Sequence, residues 1–140
     1  MNSKPEDCIF CKIAAGTVPS IKLWEDAETL AFMDINPAND GHCLVIPKAH
    51  FPTLFALAPD AFAAAGRTVI KVAKAVQVAL TPDGINLLQA NGPGAGQSVF
   101  HFHIHVLPRR HDDGLSINWT PKPGDRARIA EIADKIRKHL

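Results

Sequence analysis

Apolar residues recur at helical spacing in two stretches of the chain. The first stretch predicts a long helix over residues 59–80, because its apolar side chains are three, four or seven positions apart. These side chains belong to Phe62, Val69, Val72, Val76 and Leu80. The second stretch predicts a short amphipathic helix over residues 124–140. Its apolar face is formed by Ile129, Ile132, Ile136 and Leu140.

Five shorter segments predict β-strands. Four of them cover residues 21–24, 29–34, 42–46 and 85–90, and the fifth is the histidine-rich stretch QSVFHFHIHVLPRR. Strands joined mostly by tight turns, together with one long helix, are typical of an α+β domain with an antiparallel sheet. We therefore expect residues 1–140 to form a single domain with a five-stranded antiparallel sheet, one long helix and a short C-terminal helix.

Three histidines alternate with apolar residues at positions 100–106. Because successive side chains of a strand point to opposite faces, His101, His103 and His105 are predicted to share one face. Three polar rings buried only for packing would need three sets of hydrogen-bond partners. The alternation therefore favours a chemical role for the histidines over a purely structural one. An imidazole can attack a substrate, carry a proton or bind a metal.

A glycine-rich segment, NGPGAGQS, directly precedes these histidines. Glycine lets a backbone bend tightly and approach a ligand, and successive N–H groups in such a loop can bind an anion. Gln97 and Ser98 add side-chain donors. Together with the histidines, the loop predicts phosphoryl chemistry: one imidazole attacks phosphorus, a second donates to a phosphoryl oxygen, and the Ser98 hydroxyl serves the leaving group.

Metal binding is the alternative use of these residues. A metallohydrolase would hold zinc or another metal on the three alternating histidines. Cys8 and Cys11, in the sequence CIFC, instead have the spacing of half of a structural zinc site, and the alternative is that they are two thiols without a metal. Two thiolates and two imidazoles leave no open coordination position, so a site of that kind would be structural. Its remaining ligands would come from four candidates, which are His42, His50, His101 and His111.

The composition of the chain limits the class of protein, its partners and its location. Hydrophobic residues make up 46% and charged residues 21% of the chain, which is ordinary globular usage. The net charge of +1 argues against a nucleic-acid partner. No apolar run reaches the length of a membrane span, and the sequence MNSKPEDC has no hydrophobic signal core. We therefore expect a cytoplasmic protein with no membrane partner.

Together these motifs resemble the histidine triad (HIT) family of nucleotidyl hydrolases and transferases. GQSVFHFHIHVLP is similar to the family signature, FMDINPANDGHCLVIPKAH to the segment upstream of it, and NGPGAGQS to the phosphate loop. The N-terminal Cys-x-x-Cys is similar to that of the bacterial-type branch. The resemblance implies cleavage at the α-phosphate of a purine nucleotide conjugate through a nucleotidyl-histidine intermediate. The conjugate would be a nucleoside phosphoramidate or a dinucleoside polyphosphate.

The resemblance also implies roles for individual residues. His103 would be the nucleophile, His105 would contact the phosphate, and His42 would support the catalytic histidine from a neighbouring strand. Ser98 with Gln97 would serve the phosphate and the leaving group. The other residues implied to bind the nucleotide are Asp34, which would accept from the ribose hydroxyls, Ile35, Asn91 and Gly96. The implied zinc ligands are Cys8, Cys11, His50 and His101.

The resemblance further implies a homodimer, in which the sheets of two subunits continue into ten strands. It implies no catalytic cofactor, since zinc would only hold the N-terminal segment to the sheet. The alternative function is a nucleotide-binding regulatory or scaffold module, which would bind AMP-like ligands with little turnover.

Overall fold

The computed structural model of the protein describes residues 4–116 and 120–140. Three α-helices lie in this part of the chain: α1 (Ile9–Ala14), α2 (Pro59–Leu80) and α3 (Arg126–Arg137). Short 3-10 turns cover Pro5–Asp7, Leu54–Ala56 and Pro93–Ala95. Among the described residues, no helix combines the length and apolar character that crossing a membrane requires.

Five strands form one sheet, as the sequence predicts. They are β1 (Lys22–Glu25), β2 (Thr29–Met33), β3 (Cys43–Pro47), β4 (Gly84–Leu88) and β5 (Ile104–Arg109). Their order across the sheet is β1-β2-β3-β5-β4, and every neighbouring pair is antiparallel. β5 therefore lies between β3 and β4, and the register pairs Leu44 with His105.

The two faces of the sheet are covered by different helices. Helix α2 packs on one face with buried residues at helical spacing, which are Ala65, Val69, Val72 and Val76. On that face they meet Ala31, Cys43, Val45, Ile104 and Val106. Helix α1 packs on the opposite face, where Phe10 joins Leu30, Phe32, Leu44 and Ile46. Because side chains alternate along β5, His105 points to the face that carries α1.

Two local features differ from the sequence prediction. The histidine-rich stretch becomes strand only at Ile104, because the N–H of Phe102 donates to the carbonyl of Phe51 at 2.6 Å rather than to a neighbouring strand. The segment after Cys8 is helical, although six residues are too few to reveal a helical period. Cys8 caps this helix, since its Sγ accepts a hydrogen bond from the N–H of Cys11 at 3.4 Å.

Candidate active site and metal centre

One ring nitrogen of His103 is hydrogen-bonded to the main chain. Its Nδ1–H donates to the main-chain carbonyl of His101 at 2.6 Å, so the neutral ring carries its proton on Nδ1 and leaves a lone pair on Nε2. The ring of Phe10 packs edge-on against it, with the ring centroids 5.2 Å apart. Burial lowers the pKa of His103, although the bond to the carbonyl opposes this effect. The neutral imidazole is the form that can act as a nucleophile.

His42 and His105 form a hydrogen-bonded pair whose tautomers follow from one backbone amide. The N–H of Ala38 donates to Nδ1 of His42 at 3.0 Å, so His42 carries its proton on Nε2. That Nε2–H donates to Nδ1 of His105 at 2.9 Å, which leaves His105 with its proton on Nε2. Burial and the neighbouring His103 and His42 lower the pKa of His105 to about 4. His105 is therefore a neutral hydrogen-bond donor at neutral pH.

The predicted supporting role of His42 stays a prediction, to which the structure adds a hydrogen-bond partner. His42 lies just before β3, the strand next to the histidines, and it hydrogen-bonds to His105 and not to His103. The register explains the difference, because the pairing of Leu44 with His105 places the residues just before β3 beside the later histidine. Burial lowers the pKa of His42, and the nearby Asp34 opposes this shift.

Asp34 lies beside this pair at the end of β2. Its Oδ2 is 3.6 Å from Nε2 of His42, and its Oδ1 accepts a hydrogen bond from the N–H of Asn36 at 2.8 Å. The following residue, Ile35, has 80% of its surface exposed. This loop therefore presents a carboxylate and a large apolar side chain next to the histidines.

The glycine-rich loop is fixed by the side chain of Gln97. Its Nε2 donates to the carbonyls of Pro52 at 2.7 Å and Val99 at 3.1 Å, and its Oε1 accepts from the N–H of Gly92 at 2.8 Å. Both amide hydrogens are used within the protein. Gln97 therefore positions the loop in this structure, and its predicted role as a donor to substrate stays a prediction.

The backbone amides of this loop divide into two groups. Those of Ala95, Gly96 and Gln97 donate to carbonyls of Gly92 and Pro93 within the loop. Gly92 and Gly96 have φ values of 89° and 82°, the left-handed region that glycine tolerates best. By contrast, the N–H groups of Ser98 and Val99 donate to no main-chain carbonyl in the described ranges. Ser98 is exposed. The N–H groups of Ser98 and Val99 are thus free of main-chain acceptors among the described residues, at the end of the loop where Ser98 is exposed.

Asn91 ties the start of this loop to a neighbouring segment. Its Oδ1 accepts from the N–H of Leu54 at 2.7 Å and from Nε2 of Gln89 at 3.1 Å. Its Nδ2 donates to Oε1 of Gln89 at 2.6 Å, which uses one of the two amide hydrogens. The second hydrogen remains for a ligand.

His101 turns away from the other two histidines and joins the cysteines. Its Nε2–H donates to the carbonyl of Pro47 at 2.7 Å, so its Nδ1 is unprotonated and lies 3.5 Å from the Sγ atoms of both Cys8 and Cys11. Nδ1 of His50 lies 3.2 Å from Sγ of Cys11. The four possible ligand atoms all lie within 4.8 Å of one another.

The chemistry of this cluster fits a tetrahedral zinc ion. Burial, with Cys8 beside it, raises the pKa of the Cys11 thiol to about 11, so a thiolate at this position needs a positive charge nearby. A zinc ion would supply that positive charge, and two thiolates with two imidazoles form one of its common structural ligand sets. Of the other candidate ligands, His42 bonds to His105, and the exposed His111 lies near Asp83.

A metal held by the three alternating histidines would need their ring nitrogens in one cluster, and the structure does not group them in this way. In residues 4–116 and 120–140, two clusters bring at least three possible ligand atoms together. One is the Cys8 cluster, and the other combines Asp34, His42 and His105. His103 belongs to neither, and His101 and His105 are in different clusters.

Comparison with known proteins shows the family of the chain. The HIT domain matches residues 15–112 of the chain. The chain belongs to the HIT family. A relative from Bacillus subtilis named "Protein hit" is 41% identical over 141 residues, which cover 96% of this chain and 95% of the relative. The adenosine 5′-monophosphoramidase hnt1 of Schizosaccharomyces pombe is 38% identical over 134 residues, covering 95% of this chain and 98% of the enzyme.

A solved structure extends the comparison to the fold and the metal. The crystal structure of a Zn-bound HIT-family protein from Mycobacterium smegmatis matches this HIT chain with a TM-score of 0.76 and 36% identity. The match covers 94% of this chain and 99% of that protein. The predicted fold, a five-stranded antiparallel sheet with helices, is confirmed.

Sequence reasoning missed two groups of this HIT site, and for Gln97 it missed the loop-holding contacts. Phe10 contacts the ring of His103, the amide of Ala38 sets the tautomer of His42, and Gln97 holds the glycine-rich loop. Phe10 could have been noticed, because it lies between the two cysteines of CIFC. The other two act through backbone contacts between distant segments, for which the sequence carries no local signal.

Proposed function

We propose that the protein is a HIT-type hydrolase that cleaves at the α-phosphate of purine nucleotide conjugates through a nucleotidyl-histidine intermediate. The observation that supports this proposal is the hydrogen bond from the Nδ1–H of His103 to the carbonyl of His101. This bond leaves the lone pair on Nε2 of the neutral ring, where it can act as a nucleophile. Nucleoside phosphoramidates and dinucleoside polyphosphates are the two proposed substrate classes. Activity on phosphorus–nitrogen bonds is supported by the relative named as an adenosine 5′-monophosphoramidase.

In the first step, Nε2 of His103 attacks the α-phosphorus. A P–Nε2 bond forms as the bond from phosphorus to the leaving group breaks, and the leaving amine or nucleotide takes a proton through the hydroxyl of Ser98. The Nε2–H of His105 and the N–H groups of Ser98 and Val99 donate to the phosphoryl oxygens, where charge builds up in the transition state. In the second step, water attacks phosphorus and the P–Nε2 bond breaks, while one proton of the water passes to the oxygen of Ser98 and replaces the proton given to the leaving group. A nucleoside monophosphate then leaves.

The nucleotide itself would be bound by the loops around His103. The carboxylate of Asp34 accepts from the ribose hydroxyls, and the exposed side chain of Ile35 offers an apolar surface to the purine. The remaining hydrogen of the Asn91 amide and the backbone at Gly96 would complete the site from the glycine-rich loop.

We assign a structural zinc ion to Cys8, Cys11, His50 and His101. When bound, zinc would join helix α1 to the histidine stretch, and it would carry no part of the substrate. The chemistry proposed for His103 uses no catalytic cofactor. Reduced thiols are needed for this site, which is one reason to place the protein in the cytoplasm.

We further propose a homodimer that continues the sheet across β4, which is an edge strand. A groove of about 510 Å³ lies between α2 and β4. Three of its apolar side chains, those of Phe62, Ile70 and Leu87, are between 47% and 58% exposed. A monomer that exposes such a surface next to an unpaired strand edge is suited to pairing with a second copy.

The first test is AMP release from adenosine 5′-phosphoramidate by the purified protein, measured by chromatography with and without a chelator. Release that persists with the chelator supports hydrolysis without a catalytic metal. Release that stops while the protein stays folded would contradict it in favour of a metallohydrolase. No release from this substrate or from diadenosine polyphosphates, with AMP still bound, would instead support the nucleotide-binding module.

A further inference from the structure

A hydrogen-bonded cluster lies at the far end of β5, centred on the carboxylate of Asp113. This side chain is 5% exposed and accepts from Nε and Nη2 of Arg109 at 2.7 and 3.0 Å. It also accepts from the main-chain N–H groups of Arg110 at 3.0 Å and Leu115 at 2.9 Å. Arg109 is held in turn by Oδ1 of Asn86 on β4. Asp113 is therefore an acceptor fixed to two strands of the sheet.

Asn39 links this cluster to the loop between β2 and β3. Its Nδ2 donates to Oδ2 of Asp113 at 2.9 Å and to the carbonyl of Pro108 at 3.0 Å. Both hydrogens of the amide are thus used in anchoring the loop. The middle of the loop, five residues after Asp34, is therefore anchored by groups that lie outside the loop.

The anchored segment is also the one that fixes the ring of His42. The N–H of Ala38, next to Asn39, donates to Nδ1 of His42, and the carbonyl of Asn39 accepts from the N–H of His42 at 3.1 Å. His42 in turn orients the ring of His105 through the 2.9 Å hydrogen bond from its Nε2–H to Nδ1 of His105. An unbroken chain of contacts therefore runs from Asp113 through Asn39 and Ala38 to the Nε2–H of His105.

We propose that Asn39 is a positioning residue for catalysis, whose anchor on Asp113 fixes the tautomers of His42 and His105. This inference rests on the proposed function, in which the Nε2–H of His105 donates to a phosphoryl oxygen. That donor matters most when charge builds up on the phosphoryl group, so its loss lowers kcat more than it raises KM. The side chain of Asn39 hydrogen-bonds to Pro108 and Asp113, and not to the rings of the histidines whose tautomers it would fix.

Two substitutions at this position test the anchor. Asn39→Ala removes both hydrogen bonds, and we expect kcat to fall about tenfold with KM changed by less than about twofold. Asn39→Asp keeps the shape but places two carboxylates together, and we expect a larger fall. Combining Asn39→Asp with Asp113→Asn restores a donor facing a carboxylate, so part of the loss should be recovered. Asp40→Ala is the matched control, because Asp40 is exposed and makes no hydrogen bond or ion pair with any described residue.

The decisive readout is the protonation of the ring nitrogens, measured by ¹⁵N NMR at neutral pH without substrate. In the native protein and in Asp40→Ala, Nδ1 of His42 and Nδ1 of His105 should both be unprotonated. In Asn39→Asp, both rings should become tautomer mixtures. The inference would be overturned if both Asn39 variants kept the native tautomers and the native kcat. It would also be overturned if cooling the variants restored their kcat fully, because the loss would then reflect partial unfolding. If the native protein fails to turn over nucleotide conjugates, the proposed function fails, while the NMR comparison still decides the role of Asn39.

Discussion

His103 and His101 are joined by a 2.6 Å hydrogen bond from the Nδ1–H of His103 to the main-chain carbonyl of His101. The same residue, His101, directs its side-chain Nδ1 to the two cysteines. One residue therefore belongs to the proposed metal centre through its ring and to the proposed nucleophile through its backbone. The two sites are consequently adjacent but chemically separate.

Replacing the nucleophile should abolish turnover without unfolding the protein. We expect His103→Ala to lower kcat by about 10³-fold or more, because no other group in the described site offers an unprotonated imidazole nitrogen at that position. AMP binding and the circular dichroism spectrum should remain close to those of the native protein. The control is His111→Ala, since the side chain of His111 is 91% exposed.

The same experiment can detect the intermediate. Rapid acid-free quenching followed by mass spectrometry should find a nucleotidyl group on His103 of the native protein. Turnover in His103→Ala comparable to that of the native protein would rule out this mechanism.

The proposed zinc centre makes a prediction about metal content. We expect one zinc per chain, and cobalt substitution should give the absorption of a tetrahedral site with thiolate ligands. Cys11→Ser should lose the metal and lower the melting temperature, because α1 would no longer be tied to His50 and His101. Cys43→Ala should keep the metal, since Cys43 lies fully buried in the core cluster on the other face of the sheet. A native metal content in Cys11→Ser would contradict the assignment.

The two readings of Gln97 predict different results. Gln97→Glu removes both donors to the carbonyls of Pro52 and Val99 and buries a carboxylate beside them. If Gln97 positions the loop, the free energy of unfolding should fall by about 2 kcal/mol and kcat should fall as well. If Gln97 instead donates to substrate, kinetics should change at native stability. Gln77→Glu, on the exposed surface of α2, is the matched control for urea unfolding and steady-state kinetics.

The long helix and the strands could be predicted because burial leaves a period in the sequence. Val69, Val72 and Val76 face the sheet, and the alternation around His105 survives where β5 begins. The placement of His101 and His105 in different clusters could not be predicted by alternation alone. It depends on the carbonyl of Pro47, which holds His101, and on the amide of Ala38, which orients His42. Such contacts involve backbone groups, which every residue has, so sequence cannot single them out.

The proposed dimer predicts a change of mass on substitution in the groove. Ile70→Glu places a charge among apolar side chains of the groove between α2 and β4, so we expect a monomer in sedimentation velocity. Val78→Glu is the control, because Val78 is 81% exposed on the same helix but does not line that groove. A native protein that sediments as a monomer at micromolar concentration would contradict the dimer.

The lowered pKa of His105 predicts a loss of stability in acid. The pKa of this ring is about 4 in the folded protein, against 6.5 for an ordinary histidine, because the ring is buried near two other imidazoles. Between these values the unfolded chain binds more protons than the folded protein. Stability from this residue is therefore complete above pH 6.5 and is lost as the pH falls towards about 4.

We expect this loss to reach about 2 kcal/mol, once solvent screening of the partly exposed ring is allowed for. The measurement is urea unfolding of the native protein and of His105→Asn across this pH range. Asparagine can still accept a hydrogen bond from Nε2 of His42 but does not titrate, so its stability should fall less steeply. The proposed zinc ligands also bind protons in acid, but they are the same in both proteins, and the difference between the two curves isolates His105. Equal slopes would mean that His105 is protonated as readily in the folded protein as in the unfolded chain.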